Sequence, residues 1–205
     1  MGKGNTKQEI LEAALDLFSV QGYEATSVSQ LSGAVGISKA TFYSHFENKQ
    51  AILDALVQEV LIQYEKHSLF ARAVWEEDAA NLPLTSDAAV YMIQRQIGYI
   101  LHDSYISRAR KMLVIEQFRN SEIAKLQTKQ NYTDVMHYFT GLVKYLIQNG
   151  VLTEDNPEIM AAQLCLPISS WINLCDREPE REPEVMELVE KHIRQFFKIY
   201  QTKVR

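Results

Sequence analysis

Residues 27–49 read SVSQLSGAVGISKATFYSHFENK, and this stretch decides the fold. Ser27 and Gln30 have the spacing of a capping box, in which each side chain satisfies a backbone N–H of the other's neighbourhood, so a helix starts there. Val28, Leu31 and Val35 then fall on one apolar stripe, with Ser29, Gln30 and Ser32 turned outward. Gly36 ends the helix, because glycine enters the left-handed region without a Cβ clash, and the apolar Ile37 anchors the reversal. Ser38 starts a second helix as an N-cap, its oxygen accepting from a first-turn N–H that has no partner within the helix.

Lys39, Ala40 and Thr41 therefore form the exposed first turn of the second helix, where a recognition helix presents side chains to the major groove. Lysine donates to guanine O6 and N7, threonine offers a hydroxyl and a methyl, and alanine permits close approach or touches a thymine methyl. Phe42 and Phe46 are four apart and look inward, whereas Tyr43 and His45 lie off that stripe and reach phosphates. Asn48 caps a further helix, and Lys49 adds charge at an N-terminus suited to phosphate. On this reading phosphate contacts set the position and the turn at 39–41 specifies the sequence. The same capped hairpin also occurs in all-α domains that never meet DNA. Residues 1–66 hold five lysines (3, 7, 39, 49, 66) and no arginine against eight acids, a net charge of −3, which argues mildly for that alternative. No general basic footprint is present.

The first 56 or so residues resemble the DNA-binding domain of the TetR (tetracycline repressor-like) family. The matching elements are ILEAALDLFSVQGYEATSV from Ile10 to Val28, the turn Gly36-Ile37-Ser38-Lys39, and Thr41-Phe42-Tyr43-Ser44-His45-Phe46 with Lys49. The resemblance implies DNA contacts from Thr26, Lys39, Ala40, Thr41, Tyr43, His45 and Lys49, with Ser38 at the same surface. It implies an all-α chain: a three-helix reader over 1–50, a fourth helix at about 48–70 linking the domains, and a helical regulatory and dimerisation domain over 51–205. It further implies a homodimer on double-stranded DNA, with the last two helices forming a four-helix interface. Two-fold symmetry places two recognition helices about one DNA turn, or a multiple, apart on a near-palindromic operator.

Working outward, Thr6 and Glu9 form another capping box, and Ile10, Leu11, Ala14, Leu15 and Phe18 make the amphipathic stripe of a first helix that Gly22 stops. Tyr23 is read as a core plug. The 205 residues leave about 150 beyond the reader, enough for a second core. No apolar run approaches a membrane span, and no signal-peptide core is visible, so a cytoplasmic protein is expected. Cys165 and Cys175, ten apart in one helical pattern, are too distant to bridge within a chain, which leaves core packing or an intersubunit contact. The histidines at 45, 67, 102, 137 and 192 lack metal-ligand spacing. No metal, cofactor or catalytic residue is expected.

The remainder reads as helices without repeats. A helix from Ala51 to about Phe70 is followed by the polar linker EEDAANLPLTS over 76–86, where Thr85 or Ser86 caps the next helix. Val90, Ile93, Ile97 and Ile100 form its stripe. A second helix ends near Phe118, and a third runs from about Ser121 to Asn149, closed by Gly150. The last two span Pro157–Cys175, with Pro167 inside it predicting a kink, and Glu184–Tyr200. Both look apolar on more than one side, which suggests a dimer surface. Its candidates are Ile168, Ile172, Cys175, Val189, Ile193 and Phe196. The acidic DREPEREPE between them reads as a solvated loop.

For an effector site the candidates are Arg95, Tyr99, Glu116, Tyr138 and Trp171. Glu116, in the apolar run MLVIEQF, is either exposed on the outer face of its helix or a semi-buried carboxylate near Arg95 or Arg110. Tyr91, Tyr99, Tyr138, Tyr145 and Trp171 line a cavity or are simply core. The expected function is a dimeric repressor whose operator affinity is switched by an effector. The alternative is an activator or adaptor controlled by a partner protein instead of a small molecule. An enzyme lacks support, since no Glu-x-x-His pair, nucleophile-base constellation or phosphate loop is present.

Overall fold

Capping side chains set most of the helix starts. In the computed structural model, which describes residues 3–68 and 85–202, the helices are α1 (Lys3–Gln21), α2 (Val28–Val35), α3 (Lys39–Tyr43), α4 (Lys49–His67), α5 (Ser86–His102), α6 (Ser104–Glu116), α7 (Ser121–Thr128), α8 (Asp134–Gln148), α9 (Pro157–Arg177) and α10 (Glu182–Tyr200). The expectations for residues 69–84, including Phe70 and Pro83, lie outside the described residues. Both arms of the Ser27/Gln30 capping box are present, Asn48 accepts from Ala51 N–H at 2.9 Å, and Thr85 is the residue that caps α5. The Thr6 box is not used: α1 already runs from Lys3, so Thr6 stands inside a helix that simply propagated past it.

The described chain forms two compact units. The first comprises residues up to Ser68 together with Ser104–Gln127, and the second holds the rest. The first is thus larger than the 1–50 segment, because α6 and α7 add Ala109, Met112, Leu113, Ile123 and Leu126 to the core built by Ile10, Leu15, Phe18, Leu31, Phe42 and Ile52. Each of these side chains larger than alanine contributes about 1.5–3 kcal/mol by leaving water. Helix α6 packs along α1. Arg108 reaches Glu12 and Asp16, while Glu116 lies beside Gly22 and Tyr23, so the two helices run parallel.

In the second unit α5 and α10 are antiparallel, joined by Arg194 to Asp87 at 2.6 Å, Gln94 Nε2 to the Met186 carbonyl at 3.0 Å, and His102 to Glu182 at 2.8 Å. The predicted 121–149 helix is one helical run interrupted by a π-turn at Lys129–Thr133. Helix α9 continues through Pro167, and around that proline α10 contributes two polar ties. His192 Nε2 meets the Leu164 carbonyl at 3.1 Å, and the Tyr200 hydroxyl donates to Gln163 Oε1 at 2.7 Å. The acidic connection forms a 3-10 turn at Pro179–Arg181, where Arg181 bridges Glu178 and Glu184. An isolated antiparallel bridge pairs Leu152 with Gln201, with Thr153 N–H donating to the Tyr200 carbonyl and Thr202 N–H to that of Val151.

Candidate nucleic-acid interface

The turn between α2 and α3 has the geometry its sequence demands. Gly36 sits at φ +72°, its N–H returning to the Gly33 carbonyl, while Ile37 N–H returns to that of Ser32. Ser38 then adopts an extended conformation, and its Oγ accepts from Thr41 N–H at 3.0 Å. The two hydroxyls, Ser38 Oγ and Thr41 Oγ1, stand 2.9 Å apart. Phe42 is completely buried and Phe46 nearly so, which fixes the roll of α3 and leaves Ser38, Lys39, Ala40 and Thr41 exposed together. Tyr43 is 53% exposed, its ring edge-on to Phe42, and His45 is half-buried. This surface offers an ammonium, two hydroxyls and a methyl, the groups that hydrogen-bond base edges and phosphates. The groove between α1 and α2, by contrast, is lined by Glu9, Glu12 and Asp16, which repel phosphate.

Three side chains depart from the sequence expectation. Ser32, expected outward, is buried at 4% exposure, because α2 is short and packs on more than one side. Thr26 is 1% exposed. Its hydroxyl donates to the Gly22 carbonyl at 2.8 Å and accepts from Gln21 Nε2 at 2.9 Å, so the side chain braces the turn from within. Lys49 is half-buried, and its ammonium donates to the carbonyls of Tyr23 at 2.6 Å and Thr26 at 2.9 Å, 4.0 Å from the centroid of the Tyr23 ring. Tyr23 packs edge-on against Phe18 at 5.5 Å. Burial, followed by the charges of Glu24, Asp54 and Glu116, raises its phenol above the ordinary range.

Glu116 is not on an exposed face of its helix. It is 2% exposed, and Oε1 accepts from Tyr23 N–H at 2.8 Å. The signal for its burial was present in the sequence, since it continues the stripe of Ala109, Met112 and Leu113 at spacings of three and four. Its partner, 93 residues away, had no such signal. The other effector candidates lie in the second unit, so the five do not share one unit. Arg95 and Tyr99 are exposed on α5, Tyr138 is core, and Trp171 is half-buried with its ring edge-on to His192 at 5.4 Å.

Five of the six dimer candidates are buried. Val189 and Ile193 are completely buried, and Phe196, Cys175 and Ile168 nearly so, all within the core of the second unit. Both cysteines are buried and neither forms a disulfide. Only Ile172 of the six retains partial exposure. The outward apolar residues on these helices, Ile159 at 56% and Ile199 at 58% exposure, were not singled out by the sequence.

Two capped helices joined by a left-handed glycine turn, with the first turn of the second open to solvent, form a helix-turn-helix. Residues 10–56 match the family model described as bacterial regulatory proteins, tetR family. The match spans the helix-turn-helix and the helix before it. It is 24% identical over 176 residues to the HTH-type transcriptional regulator UidR of Escherichia coli K12, covering 85% of this chain and 83% of UidR. With the class D tetracycline repressor protein of Escherichia coli it shares 35% identity over 63 residues, 31% of this chain and 29% of that repressor. Among solved structures, SmeT, the repressor of the Stenotrophomonas maltophilia multidrug efflux pump SmeDEF, superimposes with a TM-score of 0.64 at 20% identity, covering 96% of this chain and 91% of SmeT. A SmeT–triclosan complex superimposes with a TM-score of 0.63 at 17% identity, covering 97% and 93%. At such identities these likenesses show a shared fold. The chain is a DNA-binding transcriptional regulator of all-α fold, and no helix among the described residues is long and apolar enough to cross a membrane.

Proposed function

We propose that the chain acts in the cytoplasm as a dimeric repressor whose affinity for a near-palindromic operator is switched by an effector held in the region 51–205. The observation that carries the reading is the exposed, doubly capped turn Ser38–Thr41. Lys39, Ala40 and Thr41 read bases, and Ser38, Tyr43 and His45 face the backbone. With a net negative reader, affinity rests on two copies and on helix N-termini. Support for a small-molecule effector comes from SmeT, solved with triclosan. An effector acts as a switch only if it binds the two conformations with different affinity. The outward Ile159 and Ile199 favour pairing through α9 and α10.

Selection of genomic fragments with the purified full chain tests the reading. The expected result is retention of a near-palindromic fragment that weakens steeply with salt, with Lys39→Ala changing the preferred bases. Failure to retain any fragment at low salt would defeat it. That failure would favour an adaptor answering to a partner protein, the reading supported by the scarcity of basic residues in 1–66.

A further inference from the structure

We infer that Lys49 is an internal positioning residue of the reader and not a phosphate ligand, and that Glu116 is its counterpart on the other side of the same turn. The inference rests on the DNA-reading role proposed above. An ammonium has three donors. Two are accepted by the Tyr23 and Thr26 carbonyls at 2.6 and 2.9 Å, the Glu24 carbonyl stands at 3.5 Å, and the charge lies 4.0 Å from the Tyr23 ring centroid. To swing out to a phosphate, Lys49 would have to give up its two short carbonyl contacts and the ring.

The N–H of Tyr23 is held from the opposite charge, by Glu116 Oε1 at 2.8 Å. Both backbone polar groups of Tyr23 therefore make charge-assisted hydrogen bonds, the N–H to a carboxylate and the carbonyl to an ammonium. Such bonds are about twice as strong as neutral ones. Tyr23 O also accepts from Thr26 N–H at 3.2 Å, and Thr26 Oγ1 closes the turn onto Gly22. The next residue, Ser27, is the N-cap of α2. The lock on residues 22–26 consequently fixes where α2 begins, and through the Gly36 turn where α3 presents Lys39 to Thr41. The bare α-carbon of Gly22 leaves room for this contact: a Cβ there would stand 3.1 Å from Oε1.

The test uses the full-length chain, a duplex fragment retained by the wild type, and amide exchange at Tyr23 and Thr26. Lys49→Met should weaken binding about tenfold with an unchanged slope against log salt, and should speed exchange at both amides. Lys49→Arg, which keeps the charge but not the compact ammonium, should behave like Lys49→Met. Glu116→Gln, which keeps an acceptor, should stay near wild type, whereas Glu116→Ala should reproduce the Lys49→Met behaviour. A slope shallower by about 0.9 in Lys49→Met, with both amides still protected and Lys49→Arg like wild type, would overturn the inference. If the wild type retains no fragment, the DNA-reading role fails and the amides decide alone: unchanged exchange in Lys49→Met overturns the lock.

Discussion

A β-carbon on Gly22 would stand 3.1 Å from Oε1 of Glu116 and 3.1 Å from Cγ2 of Ile115, at a residue whose φ is +82°. A side chain at this position therefore meets both a strained backbone conformation and two neighbours that must give by a few tenths of an ångström. Gly22→Ala should lower the stability of the protein by about 1–3 kcal/mol, read as a fall in the midpoint of thermal unfolding. A variant that melts with the wild type would show that α6 yields freely.

Ser38→Ala removes the acceptor of Thr41 N–H and the hydroxyl beside Thr41 Oγ1. A loss of about 1 kcal/mol is expected in urea unfolding. Because α3 has five residues, DNA affinity should fall with the cap even though Lys39 is untouched. Full binding by a destabilised Ser38→Ala would separate the cap from reading.

Ser32 carries a buried hydroxyl that has no hydrogen-bond partner among the described residues. Ser32→Ala removes this desolvated group and improves helix propensity, so it should stabilise the chain by roughly 0.5–1 kcal/mol. Chemical denaturation measures the gain, and a loss of stability would reveal a partner for Ser32 Oγ.

Ile193 is completely buried in the core of the second unit. Ile193→Ala should cost about 2–5 kcal/mol of unfolding free energy, at every protein concentration. Ile199→Glu should leave unfolding of the protomer almost unchanged and shift sedimentation toward the smaller species. If Ile193→Ala only lowered the association constant, its burial within the protomer would be irrelevant.

Burial pushes the Cys165 thiol up from 9.0 to about 11. The folded chain holds this proton more tightly than the unfolded one. Its contribution to stability is therefore fully present below about pH 9 and is lost as pH rises through about 11. The difference in unfolding free energy between wild type and Cys165→Ala should be flat below pH 9 and shrink above it. A difference that widens with alkali would contradict the sign.

What the sequence made legible is local. The Ser27/Gln30 box, the Ser38 and Asn48 caps, the left-handed Gly36 and the inward Phe42 and Phe46 each depend on chemistry within four residues, and each is found in place. What it hid depends on remote partners. Ser32 was assigned outward from a stripe too narrow for its packing, and Thr26 and Lys49 turn inward to carbonyls 4 and 23 to 26 residues away. The apolar faces of α9 and α10 were visible, but their periodicity could not say whether a second copy or the same protomer covers Val189 and Ile193.

The first unit is interrupted in sequence: α6 lies along α1, yet Arg108 and Glu12 are 96 residues apart, and Glu116 and Tyr23 are 93 apart. During synthesis at about 5–20 residues per second, α1 leaves the ribosome seconds before the helix that covers one of its faces. Until then that apolar face is open to chaperones and to other nascent chains. The helix-turn-helix is thus made well before the helices that complete its own core.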